Sequence, residues 1–396
     1  MIEVTQVFQV NNELFTQWRR DIHQHPELGF EECRTASLVA AKLKEWGFDE
    51  VHTGIAQTGV VGVLKGRYDS DRTVGLRADM DALQMEEENQ FAHASCHQGK
   101  MHGCGHDGHT AILLATAWYL SQHRDFRGTV NFIFQPAEEG LGGAKVMIDE
   151  GLFNRFPCDR VYGLHNMPGI PQGEVWLKSG AILASSDRFT IEIMGKGGHA
   201  AMPDKSVDPT LILSNIILSA QSIISRNTSP LDPAVVSFTD VHAGSGTHNV
   251  IPDSASIKGC IRAFDEEVRL NTIERLKHLV SQIADSYGAK AELHIKAGSY
   301  PATINDKSAV ELVAQVANSV VGTDKVNANC LPLSGSEDFS FMLQAVSGCY
   351  MLVGNGNDGE RGGVCVHNPS YDFNDEIIPV GASLFVGIVK KELPIN

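Results

Sequence analysis

Five short apolar runs rich in β-branched residues punctuate the chain: GVVGVL (59–64), TVGLRA (73–78), TVNFIF (129–134), RVYGLH (160–165) and CYMLVG (349–354). Helical stretches fall between several of them, notably 108–121 and 141–150. Runs of this length that do not alternate with polar residues read as strands buried on both faces. Buried strands alternating with helices predict an α/β layer with a largely parallel sheet. Two helices are expected ahead of them. One covers 12–24, with Leu14, Phe15, Trp18 and Ile22 at helical spacing, and the other covers about 32–46 and stops at Gly47.

Near residue 186 the texture changes. SDRFTIEIMGKG alternates apolar and polar residues, as a strand with one buried face does. A helix carrying Leu211, Leu213, Ile216, Ile217 and Ala220 follows, then two strand candidates, a second helix over about 266–287, and AELHIKAG. This β-α-β-β-α-β order predicts a small α+β sandwich inserted into the α/β layer, whose texture returns beyond about 305. The expected division is 1–185 with 300–396 as one domain and 186–299 as the other. A chain of 396 residues has room for both.

The formal net charge of −16, from 32 basic and 48 acidic residues, argues against nucleic acid or an anionic membrane surface as a partner. No apolar stretch approaches the roughly 18 residues of a membrane span. The first residues lack a basic-then-apolar signal pattern, so a cytoplasmic location is expected. Eight scattered cysteines in that setting do not suggest a disulfide framework. Cys104 stands apart because of its neighbours.

Residues 101–114, MHGCGHDGHTAILL, concentrate three histidines, a cysteine and an aspartate where an apolar helix begins. Cys104 and His106 offer a thiolate and an imidazole two residues apart, and the flanking glycines let the backbone aim both at one point. Such donors suit zinc and, with oxygen ligands, manganese, cobalt or nickel. Other candidate donors follow apolar runs. Glu138 and Glu139 come just after TVNFIF, His165 closes RVYGLH, and His367 follows the short run GGVCV. In open α/β sheets, sites form beyond the carboxyl ends of strands, so these groups are expected on one rim. Cys104, His106, one glutamate, His165 and His367 exceed the needs of one tetrahedral ion. They suit two ions sharing a ligand. The second glutamate is then free to take a proton from a water that the cations acidify. The residues alone do not say which glutamate does which. Asp79 and Asp81, in RADMDAL, can orient a ligand histidine, and a helix cap at Asp81 is an equal alternative.

The segments IHQHPELGFEE, RADMDALQ, MHGCGHDGHT, QPAEEG, GLHNMP, GKGGHAAMP, NVIPD and VHNPSYDFND occur in this order across nearly the whole chain. Together they resemble the amidohydrolase branch of the aminoacylase/carboxypeptidase-G metallopeptidase family. That branch includes hippurate hydrolases, hydrolases of indole-acetyl amino acids and N-acetyldiaminopimelate deacetylases. The resemblance implies a zinc-peptidase-like catalytic domain with an inserted lid that is also the dimer interface. It implies two divalent metal ions (zinc, manganese, cobalt or nickel) at Cys104, His106, Glu139, His165 and His367, with Glu138 as the base. His199 matches a histidine that steadies the oxyanion, often in the partner subunit's site. Asn249 and Arg262 match positions that meet the substrate carboxylate. Gln84 departs from the proline that many relatives carry after DAL, which alters a loop and leaves the metal-site residues intact.

The expectation is therefore a homodimeric amidohydrolase that cleaves N-acyl amino acids. A dipeptidase or carboxypeptidase using the same centre, and a metal-stabilised binding protein without activity, are the alternatives.

Overall fold

The structure, a computed structural model, describes residues 1–296 and 298–395. It divides into two compact units, one of Met1–Ile182, Ile304–Leu331 and Asp338–Asn396, the other of Leu183–Thr303 and Pro332–Glu337.

The first unit is built on an eight-stranded sheet. Its strands in chain order are β1 (Glu50–Ile55), β2 (Gly59–Lys65), β3 (Tyr68–Asp79), β4 (Arg127–Gln135), β5 (Arg160–Pro168), β6 (Val175–Trp176), β7 (Val326–Asn327) and β8 (Gly348–Gly356). Their order across the sheet is β1-β2-β4-β3-β5-β8-β6-β7. The central four, β4, β3, β5 and β8, are mutually parallel. The antiparallel pairs β1–β2, β2–β4 and β6–β8 lie to either side. All nine residues of β8 are buried, as are the last six of β3, so the carboxyl end of β3 sits in the core. All five strand runs read from the sequence are present. The short edge strand β1, in which only Ile55 is buried and polar residues mix with apolar ones, was not foreseen.

The principal helices are α1 (Ile2–Val10), α2 (Asn12–Gln24), α3 (Cys33–Glu45), α4 (His106–Gln122), α5 (Lys307–Val321) and α6 (Ile378–Glu392). Helix α4 is buried almost all round, as its unbroken run AILLATA requires, and α2, α3 and α6 pack against it. Its first turn is therefore held from several sides.

In the second unit, four antiparallel strands run in the order Ala234–Ala243, Ser254–Ala263, Asp187–Met194, Lys290–Ile295. Phe189, Ile191 and Ile193 alternate inward from Asp187–Met194. They meet Ile212 and Ile216 of the helix Pro209–Asn227, and Leu276 and Val280 of the helix Glu266–Ser286. Asp208 and Asp265 cap those helices by accepting the backbone N–H groups of Thr210 and Val268. This is the α+β sandwich the alternating texture predicts.

All eight cysteines are free. Among the described residues, no helix is long and apolar enough to cross a membrane.

Candidate metal centre

The carboxyl ends of β3, β4 and β5, the start of α4 and the loop after β8 place their polar side chains together. Gly105 has φ +93, and an added Cβ there would lie 2.2 Å from Asn166 Oδ1. Only glycine lets the chain turn there and direct Cys104 and His106 the same way. Cys104 Sγ lies 3.4 Å from His165 Nε2. The His165 Nδ1–H donates to the Asn166 carbonyl at 2.5 Å, which leaves the Nε2 lone pair facing the thiol. Asp81 Oδ1 is 3.1 Å from His106 Nδ1, which likewise frees Nε2. The other Asp81 oxygen accepts the Glu139 backbone N–H at 2.9 Å, and no helix begins at Asp81.

Among the described residues, five groups of three donors lie close enough to hold an ion, one of them joining Glu138 to His106 and Glu139, and two of the five share Cys104. Cys104, His106 and His165 form one, Cys104, Glu139 and His367 the other, with the ligand atoms of each within 4.8 Å of one another. Cys104 belongs to both. His367 Nε2 is 3.2 Å from Glu139 Oε1, and His106 Nε2 is 3.9 Å from the same oxygen. His106 Nε2 and Glu139 Oε1 are buried and neither has a hydrogen-bond partner. Buried polar atoms are ordinarily satisfied, so this pair has the character of metal ligands. Two donors on one tetrahedral ion stand roughly 3.3–3.8 Å apart, which these spacings match. The donor set of thiolate, imidazole and carboxylate fits a divalent transition metal.

The charges agree with that fit. Burial and the Glu139 charge push the Cys104 thiol up, so the thiolate needs a positive partner. The nearby Cys104 and Glu139 raise His367 to about 10, because the ring proton substitutes for such a partner. Burial and His109 hold His165 well below the usual histidine value, which keeps its ring neutral.

His367 corrects one expectation. It does not follow a strand, since residues 363–366 are irregular, and β8 ends earlier at Gly356. It sits in a loop at φ +62, and its backbone N–H donates to the Gly103 carbonyl at 2.7 Å. That bond registers the loop against the Cys104 segment, which a strand end would not have done. His165 lies inside β5, three residues before its end.

Glu138 and Glu139 follow Ala137, which adopts the left-handed conformation (φ 54, ψ 45) at a cost of roughly 1–2 kcal/mol for a non-glycine residue. The Asp338 backbone N–H reaches Glu138 Oε1 at 3.3 Å. Asp338 also accepts from Gln135 and Arg77, and Arg77 donates to Asp79. Asp79 in turn meets His109 Nδ1 at 2.7 Å, and Asn166 faces the other ring nitrogen. Burial alone would raise Asp79, but His106, Arg77 and His109 hold it well below the usual carboxylate range. Arg77, His109, Asn166 and Asp338 had no role in the sequence reading. For His109 a signal existed, since it lies one turn along α4 from His106. For the others none did.

In the second unit, His199 pairs with Val250 in a two-residue ladder, and the Ala200 N–H donates to the Asn249 carbonyl, so His199 and Asn249 are neighbours and both are exposed. Arg262 is not with them. Met194 pairs with Ser254 and Asp187 with Ile261, so Arg262 lies at the far end of the strand, roughly 20 Å along it. Its Nη1 is buried without a hydrogen-bond partner.

The model of peptidase family M20/M25/M40 matches residues 75–391. The chain belongs to that family. Over 379 residues this M20 chain is 44% identical to the hippurate hydrolase of Campylobacter jejuni, covering 96% of each. It is 38% identical to the N-acetylcysteine deacetylase of Bacillus subtilis, covering 93% of each. Its fold is similar to the Bacillus subtilis YXEP protein, described as a dinuclear metal binding peptidase of the M20 family. There the TM-score is 0.83 at 32% identity, covering 98% of this chain and all of that one.

Proposed function

We propose that this chain is a metal-dependent amidohydrolase that cleaves N-acyl amino acids into a carboxylic acid and a free amino acid. The observation that carries this is the sharing of Cys104 between two three-donor groups beside a second glutamate. The relatives named hippurate hydrolase and N-acetylcysteine deacetylase support it. Cys104, His106, His165, Glu139 and His367 would hold two divalent cations, which polarise a carbonyl and acidify water. Zinc suits the thiolate and imidazoles, and manganese, cobalt or nickel remain open through the carboxylate.

Glu138, steadied by the Asp338 N–H, takes a proton from the attacking water and delivers it to the leaving amine. Asp81 aims His106 with one oxygen and fixes the Glu139 amide with the other. We assign His199 to the developing oxyanion and Asn249 to the substrate carboxylate; Arg262, whose planar guanidinium suits a carboxylate, lies at the other end of its strand and would meet the same carboxylate only from the other subunit of a dimer. We assign that unit the roles of lid and dimer contact. Leu211, Leu218, Val235 and Val241 are exposed on its helix Pro209–Asn227 and its edge strand Ala234–Ala243, as a homodimer interface would require. A cytoplasmic location is part of the same reading.

The test is a panel of hippurate, N-acetyl amino acids, indole-acetyl amino acids and dipeptides, assayed on metal-stripped protein with zinc, manganese, cobalt or nickel restored. Turnover of the N-acyl amino acids with at least one metal supports the proposal. Turnover of dipeptides alone would make the chain a peptidase, and metal binding without hydrolysis would make it a binding protein.

A further inference from the structure

Glu32 is fully buried on the far side of the turn that carries the two glutamates. It occupies the residue before α3, where a side chain ordinarily caps the helix, yet it makes no capping bond. Glu27 does that work instead, its two carboxylate oxygens accepting the N–H groups of Arg34 and Thr35 at 2.8 Å each. The Glu32 side chain is thereby released to reach two distant segments. One oxygen accepts the Ala137 backbone N–H at 2.8 Å, and the other accepts the Thr58 hydroxyl at 2.5 Å.

Ala137 is the left-handed residue that turns the chain from β4 to Glu138 and Glu139. The amide two residues on, that of Glu139, is held by Asp81. The Glu138–Glu139 pair is therefore bracketed by two amides, each anchored to a different buried carboxylate. The Glu27–Glu32 loop also packs directly on the turn, since a Cβ at Gly29 would stand 3.0 Å from Ala137 Cβ.

We propose that Glu32 is a positioning residue for the reaction: by anchoring the Ala137 amide it holds the strained turn that presents Glu138 to substrate and Glu139 to metal. The inference rests on the amidohydrolase reading only through Glu138. Its bearing on Glu139 stands on metal binding alone. A misplacement of about 1 Å at such a pair is enough to matter.

The experiment compares the unaltered chain with Glu32→Ala, Glu32→Gln and the double variant Glu32→Ala/Ala137→Gly. It measures kcat and KM on hippurate and the zinc retained after dialysis against a chelator. Glu32→Ala should lower kcat about 10–100-fold with KM changed by less than about threefold, and should lose zinc faster. Glu32→Gln keeps an oxygen for the Ala137 amide and an NH2 group for Thr58, so it should retain most of both. Glycine enters the left-handed region freely, so Ala137→Gly should recover at least about threefold of the lost kcat. Folded Glu32→Ala protein with unaltered kcat and zinc retention overturns the proposal. So does a loss that Glu32→Gln shares fully and Ala137→Gly does not relieve. If the unaltered chain hydrolyses no N-acyl amino acid, the amidohydrolase reading falls, and the zinc comparison by itself decides the role of Glu32.

Discussion

Glu138 and Glu139 are chemically identical neighbours set apart by what surrounds them. Glu139 Oε1 faces His106 and His367 and has no hydrogen-bond partner, whereas Glu138 Oε1 meets the Asp338 N–H. If the first is a ligand and the second a base, Glu138→Gln should lower kcat about 10²–10⁴-fold while bound metal is unchanged, as elemental analysis would read. Loss of metal together with activity would exchange the two roles. Gly105 is the other sensitive position at this scale. Gly105→Ala combines an unfavourable φ with a Cβ 2.2 Å from Asn166 Oδ1 and 2.5 Å from the Tyr371 hydroxyl. It should lower stability by about 1–3 kcal/mol in denaturant titrations and deplete metal. The chemistry of Cys104, His106 and the paired glutamates was legible in the sequence because type and spacing alone raise it. The left-handed Ala137 and the buried Glu32 were not, because nothing in PAEEG or GFEE reveals which backbone amide a distant carboxylate will reach.

At the scale of elements, α2 is tied to the first turn of α4 and to the segment before α6 by a buried ionic network. Arg19 is fully buried and donates to Asp107, Asp372 and Asp375. His23 bridges Asp107 at 2.8 Å and Glu87 at 3.2 Å. Removing one member of such a network leaves buried charges unpaired, so Arg19→Met should cost about 3–5 kcal/mol, measured by urea unfolding. His23 gives this coupling a pH signature. Burial alone would lower it, but Asp107 and Glu87 raise it to about 9. A group whose folded value lies above its unfolded value of about 6.5 contributes fully below that pH and loses the contribution as pH rises through 9. The stability difference between the unaltered chain and His23→Gln should therefore shrink by up to about 3 kcal/mol between pH 6.5 and 10. A difference independent of pH would mean that His23 is neutral in the fold. The helices themselves were readable from apolar spacing. The network was not, because Arg19 and Asp375 are 356 residues apart and a charged residue in an amphipathic helix ordinarily faces water.

For the whole molecule, the two-texture pattern of the sequence corresponds to two sheets of different kinds, one centred on parallel buried strands and one antiparallel with a single covered face. Strand periodicity carried that distinction. The loop placement of His367 escaped it, because GGVCV looks like a strand and is irregular loop. The proposed homodimer makes its own prediction. Leu218, 73% exposed, stands on the helix Pro209–Asn227. Leu218→Glu should convert dimer to monomer in sedimentation experiments, and activity should fall with it if His199 serves the partner's site. A monomeric unaltered chain would remove the dimer from the account. The most direct test of the central claim is an anomalous-diffraction map of zinc- or manganese-loaded protein. The account predicts two peaks about 3.5–4 Å apart, with Cys104 touching both, His106, His165, Glu139 and His367 completing the shells, and Glu138 unligated. A single peak, peaks elsewhere, or a Cys104 thiol turned away from them would contradict it.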